Sequence, residues 1–391
     1  MTDAVIRPFA NRLNDIEPFR VVEVLTRAKE LEAQGRDIIH LEAGEPDFAT
    51  ADPIIRAGQA SLDRGETYYS QAAGIPELRR ALSDYYKSEY NLDIDPARIM
   101  ITPGASGALL LISALLMNPG DGMLMTDPGY PCNRHFLRLV EGEGQLVPVG
   151  PEDRYQLKAA KAAEYWRDNT VGAMVASPAN PTGEILTREE LVDLYQLCAE
   201  RNGHLVVDEI YHGLSYGDDT PSILEITDQA FVINSFSKYF GMTGWRLGWL
   251  VAPEAALPHL EKLAQNLFIS MSTMGQAAAL AAFEPETRKI LDARRAEFAA
   301  RRDYLLPELR RLGFEVPNTP AGALYIYANI EKFSNNSQQF CMDMLENHGV
   351  ATTPGVDFGS YQANTHVRFA YTTSMDKLKE GVRRLDAVFN K

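Results

Sequence analysis

Between residues 99 and 235, six short apolar runs rich in β-forming residues alternate with helix-length stretches, and this rhythm constrains the fold more than any other feature of the chain. The runs predict strands at 99–102, 122–126, 144–148, 172–177, 204–208 and 230–235. Helices are expected between them at 106–117 and 188–201, the second opened by a capping box from Thr187 to Glu190. Strand, helix, strand is the βαβ unit, whose two strands run parallel. A run such as Leu205-Val206-Val207 is apolar without alternation, as required where helices cover both faces of a sheet. The expected class is α/β, a mostly parallel sheet sandwiched by helices.

After residue 285 the pattern changes. A long charged helix at 287–312 leads to short apolar segments at 314–316 and 324–328, a helix at 337–348 and a segment at 366–371. This predicts a smaller α+β domain, with which a helix at 21–34 would pack. The expected division is 46–285 as a large domain, 286–391 as a small C-terminal one, and 1–45 as an N-terminal segment joined to the latter.

Charge and cysteine content narrow the possible functions. Lys plus Arg number 38 against 53 Asp plus Glu, a formal charge of −15 that argues against nucleic acid or an anionic membrane as partner. Residues 99–120 carry no charge, but Thr102-Pro103-Gly104 and Asn118-Pro119-Gly120 leave an apolar helix shorter than the roughly 20 residues a membrane span needs. Residues 1–15 contain Asp3, Arg7 and Arg12 and lack a continuous apolar core, so no signal peptide is expected. The cysteines Cys132, Cys198 and Cys341 form no CxxC pair, which fits a reducing, cytoplasmic setting. The seven histidines make no HxxxH or HxH pair, and no metal site is expected.

Ligands of an open parallel sheet bind at the carboxyl ends of its strands. Four polar clusters stand at such places. Thr102-Pro103-Gly104-Ala105-Ser106-Gly107 joins a strand to a helix, where small residues and free amides can receive an anion. Ser177-Pro178-Ala179-Asn180-Pro181-Thr182-Gly183 follows the fourth strand, and its prolines hold Asn180 in a rigid turn. Asp208-Glu209-Ile210-Tyr211 follows the fifth, and a carboxylate there needs a partner. Ser235-Phe236-Ser237-Lys238 follows the sixth, with Gly244-Trp245-Arg246-Leu247-Gly248 close behind, an environment suited to a nucleophilic amine.

Each cluster alone is modest, but their order is specific: Asn180, Asp208 and Lys238 lie 28 and 30 residues apart. The set resembles the class I/II aminotransferases of fold type I, which depend on pyridoxal 5'-phosphate, and the resemblance runs from Leu41-Glu42-Ala43-Gly44-Glu45-Pro46-Asp47-Phe48 to His366-Val367-Arg368-Phe369. It implies a transaminase that moves an amino group between an L-amino acid and a 2-oxo acid by a ping-pong route, with glutamate and 2-oxoglutarate as the second pair.

Lys238 matches the lysine that forms the Schiff base with the cofactor and then carries the substrate's proton. Asp208 matches the partner of the pyridine nitrogen, and Tyr211 and Asn180 match donors to the ring's phenolic oxygen. Tyr130 falls where an aromatic stacks on the ring. The phosphate would lie among Ala105, Ser106, Ser235, Ser237 and Arg246, with Tyr69 reaching it from the neighbouring subunit of a homodimer that shares its active sites; Tyr68 is the adjacent candidate. Arg368 matches the arginine that takes the substrate carboxylate, with Gly44 and Asn180 beside it. A lysine found in one aspartate-specific subgroup is replaced here by Ser106, which lowers the expectation of aspartate. Phe19 is expected to line the pocket and favour neutral or aromatic donors, while the direction of Arg20 is open. His212 is expected behind the cofactor or on the surface. Two alternatives remain: a pyridoxal-phosphate C–S β-lyase on the same fold, and a nucleotide-binding α/β protein using the 104–107 turn.

Overall fold

The computed structural model describes residues 9–217 and 220–390. The signal-peptide reading rests in part on residues 1–8, and the expected domain limits extend to residues 1–8 and Lys391; these lie outside the described residues. The molecule is built on a seven-stranded sheet of β1 (Ile99–Thr102), β2 (Gly122–Asp127), β3 (Glu143–Pro148), β4 (Thr170–Ala176), β5 (His204–Asp208), β6 (Phe231–Ser235) and β7 (Gly248–Val251). Across the sheet the order is β1-β7-β6-β5-β4-β2-β3. Neighbours are parallel except at β7, which is antiparallel to both β1 and β6. The six expected strands are present with ends shifted by at most two residues.

β7 was not anticipated. Its insertion has a consequence for the site, because Gly248 pairs with both Thr102 and Ser235. The residues just after β1 and β6 and just before β7 are thereby gathered at one edge of the sheet.

Successive residues of the central strands bury on opposite faces. Leu205 and Val207 join one core with Leu191, Leu194 and Cys198, whereas Val206 joins another with Leu109, Ile112 and Leu260. The strand is apolar on both sides because each side meets a helix layer. The helices that matter for the site are α1 (Arg20–Ala33), α2 (Gly104–Leu116), α3 (Arg188–Glu200), α4 (Pro285–Arg311) and α5 (Ser337–His348), all within two residues of expectation. The Thr187 capping box is formed: Thr187 Oγ1 accepts from Glu190 N, and Glu190 accepts from Thr187 N.

A second, antiparallel sheet holds β8 (Tyr325–Asn329), β9 (Thr353–Pro354) and β10 (His366–Ala370) in the order β9-β10-β8. The apolar segment 314–316 forms no strand; only an isolated bridge joins Glu315 to Asn329. Its apolar character serves packing instead, for the Phe314 ring lies 5.0 Å from that of Phe333 and 5.3 Å from that of Phe369. Val24, Ala28 and Leu31 of α1 bury against Leu345 of α5 and Ala351. Among the described residues no helix is long and apolar enough to cross a membrane.

Candidate active site

A cavity of about 280 Å³ opens where the strand ends converge. Its wall contains Ala105 and Ser106 from the start of α2, Tyr130 beyond β2, Asn180 beyond β4, Asp208 at the end of β5 and Tyr211 beyond it, Ser235 at the end of β6 with Ser237 and Lys238 beyond it, and Arg246 just before β7. Gly44, Tyr325 and Arg368 complete it from the other side. Every expected site residue but one is therefore brought together. The exception is Tyr69, which is 81% exposed and lies away from the cavity of its own chain, as does Tyr68.

Lys238 projects into the cavity, and its Nζ donates to the Gly44 carbonyl at 2.7 Å. The ammonium also stands 5.7 Å from the centre of the Tyr211 ring. Asp208 is buried at the end of its strand, and its Oδ1 accepts from Ile210 N at 3.0 Å. Burial pushes its carboxyl up to about 6, against the pull of that hydrogen bond and of the Lys238 charge. A carboxylate so placed is suited to a cationic partner in the cavity.

Next to it, Glu209 points the other way. Its carboxyl accepts from Ser222 Oγ at 2.9 Å and Ile223 N at 3.0 Å and is pushed up to about 8 by burial. Adjacent acids thus have different roles, one facing the cavity and one pinning the chain that follows Tyr211. His212 is buried and not on the surface, with Nδ1 2.7 Å from Tyr90 Oη, and burial depresses it to about 3.

The anion cradle follows from the β1-β7-β6 geometry. Gly104 has φ +69°, and a Cβ there would come within 2.7 Å of Arg246 Nη2. Glycine meets at least cost both demands, a left-handed turn and a guanidinium against the first turn of α2. Helix amides at Ala105 and Ser106 supply partial positive charge. Ser235 Oγ and Ser237 Oγ stand 3.0 Å apart beside them.

Arg368 is buried on β10, with Nη1 donating to Asn180 Oδ1 at 2.9 Å and Nη2 to the Glu42 carbonyl at 2.6 Å. Its Nε is buried without a protein partner. Its guanidinium stacks 4.1 Å above the Tyr325 ring. Tyr325 itself was missed from the sequence: its run reads as core, and four of the five residues of β8 are indeed buried. Yet its Oη lies 2.6 Å from Tyr211 Oη, and Gly44 is bare because a Cβ there would fall 2.0 Å from that oxygen. Phe19 lines the cavity as expected. Arg20 is settled too: its guanidinium pairs with Glu23 at 3.1 Å and does not line the cavity.

Residues 36–385 match the model of the family "Aminotransferase class I and II". The chain is 37% identical to the valine–pyruvate aminotransferase of Mycobacterium tuberculosis, over 95% of this chain and 96% of that protein. It is also 37% identical to the (5-formylfuran-3-yl)methyl phosphate transaminase of Methanocaldococcus jannaschii, over 98% of this chain and all of that one. Among solved structures it superposes on the Thermus thermophilus aspartate aminotransferase with a TM-score of 0.92 at 31% identity, covering 98% of this chain and 100% of the other. With the fold, the cavity and the family match in agreement, the chain belongs to the class I and II aminotransferases, and it is a pyridoxal-phosphate-dependent transaminase of fold type I.

Proposed function

We propose that this cavity carries out transfer of an amino group between an L-amino acid and a 2-oxo acid by a ping-pong route, with Lys238 as the residue that holds the cofactor covalently. The observation that carries the reading is the meeting on one cavity of Lys238 Nζ from just beyond β6, the Asp208 carboxylate from the end of β5 and the Arg368 guanidinium from β10. The donor set suits pyridoxal phosphate. The α2 amides, Ser235, Ser237 and Arg246 would hold its phosphate, a dianion matched by a planar guanidinium fork. Asp208 would keep a proton on its pyridine nitrogen. Tyr211 and Asn180 would donate to its ring oxygen; Asn180 spends its Oδ1 on Arg368 and so keeps its amide hydrogens free. Tyr130 would cover its face.

When bound, the cofactor supplies an aldehyde for the amine and a ring that accepts the electron pair left at the substrate's α-carbon. The chain's own residues do the rest. Arg368 binds the substrate carboxylate through the face that includes its unpartnered Nε. Once the substrate amine has displaced it from its covalent bond, Lys238 Nζ would take the α-proton and return it on the other side of the reaction. Tyr325 ties the two halves together, touching Arg368 with its ring and Tyr211 with its hydroxyl. Residues 46–285 are read as the cofactor-binding domain, with the described residues of 1–45 and 286–391 forming the smaller one. The exposed Tyr69 supports a homodimer in which it reaches the partner's phosphate cradle, and the three unpaired cysteines support a cytoplasmic protein.

Initial rates at several fixed acceptor concentrations test the route. Parallel double-reciprocal lines are expected, because the first product leaves before the second substrate binds. Lines that intersect would mean both substrates bind together and would overturn it.

A further inference from the structure

The three cations on the cavity wall are all engaged by the reading above: Lys238 and Arg246 with the cofactor, Arg368 with the α-carboxylate. What remains for the substrate side chain is mostly hydrocarbon. Phe19, Val21, Val22 and Leu25 line the cavity from the start of α1, and Ile210 lines it from beyond β5. Phe19 meets the Tyr130 ring edge-on at 6.3 Å, so this wall is continuous with the face on which the cofactor ring would lie.

The orientation of the segment is enforced. Asp357, only 3% exposed, accepts from Arg20 N at 2.7 Å and caps the bare start of α1. Held there, the segment lines the cavity with Phe19, Val21 and Val22 and turns the Arg20 guanidinium to Glu23. Of the two acids on the wall, Asp208 is given to the cofactor by that reading, and the other, Glu45, is exposed. A second carboxylate on the substrate would lose its water against hydrocarbon, meet no unengaged cation among the described residues of the cavity wall, and approach a like charge.

We infer that the side-chain subsite takes neutral apolar groups: donors are aliphatic or aromatic monocarboxylic amino acids, and acceptors are monocarboxylic 2-oxo acids such as pyruvate. This rests on the transaminase reading, and it departs from the glutamate and 2-oxoglutarate pair implied by resemblance. One pocket must serve both half-reactions, so a wall that rejects a distal carboxylate on the donor also rejects it on the acceptor.

The test uses the holoenzyme and reads loss of its visible cofactor band with single amino acids: alanine, valine, leucine, phenylalanine, aspartate and glutamate. Leucine, valine or phenylalanine is expected to exceed aspartate and glutamate by about 100-fold or more in kcat/KM, and pyruvate to exceed 2-oxoglutarate likewise as acceptor. Phe19→Ala is expected to lower kcat/KM for leucine and phenylalanine by about 10-fold and leave alanine nearly unchanged, since a methyl has little surface to bury against the wall. Aspartate or glutamate as the fastest donor, or an equal fall for alanine and leucine in the variant, would overturn the inference while leaving the transaminase intact. If no amino acid bleaches the band, the transaminase reading itself fails.

Discussion

Replacement of Lys238 by alanine is expected to lower turnover of any amino acid by about 1,000-fold or more, the scale of losing both a covalent anchor and a proton carrier. The fold should survive, because the side chain faces a cavity and makes one hydrogen bond, to the Gly44 carbonyl. Thermal unfolding therefore serves as the control: a Tm close to that of the parent together with collapsed activity separates chemistry from folding. A small primary amine added to the variant should restore part of the rate by supplying the missing base. Turnover within about tenfold of the parent would show that another group carries the proton.

The second large effect is expected at Arg368. Its guanidinium meets Asn180 and the Glu42 carbonyl and rests on the Tyr325 ring, so its direction is set before substrate arrives. Arg368→Lys keeps the charge but loses the planar fork, and kcat/KM for amino acids should fall by about 100-fold, most of it as a higher KM. The visible cofactor spectrum should stay, since Asp208, Lys238 and Arg246 are untouched. An amine without a carboxylate should react equally slowly with parent and variant. A variant that loses both kinds of substrate in the same proportion would place Arg368 in a structural role only.

The places of Asp208 and Lys238 on the cavity were readable in the sequence because one ends and the other closely follows a strand whose apolar run is unmistakable, and sheet topology sends such ends to one edge. Asn180 was readable for the same reason, with flanking prolines to mark the turn. Three features were not. β7 is four residues long, and the glycine-rich approach to it, Gly244-Trp245-Arg246-Leu247-Gly248, reads as a loop. Its antiparallel insertion is what carries Arg246 to Gly104, a contact made between strands distant in sequence. Tyr325 hides in a core strand, since strand period tells which residues share a face and not which ring reaches a cavity at the strand's end. Arg20 could have turned either way until Glu23, one helical turn on, and Asp357, far along the chain, fixed it. In each case the deciding contact is long-range or a matter of side-chain direction, which local pattern does not encode.

The central claim is that Lys238, Asp208 and Arg368 serve one amino-transfer site, and a half-reaction tests it most directly. Holoenzyme of known concentration is given a single amino acid and no 2-oxo acid, and the visible band, released 2-oxo acid and free ammonia are followed together. The expected result is loss of the band with one equivalent of 2-oxo acid per subunit and no ammonia, followed by return of the band when a 2-oxo acid is added. Continuous release of 2-oxo acid and ammonia without an acceptor, or no change in the band, would contradict it.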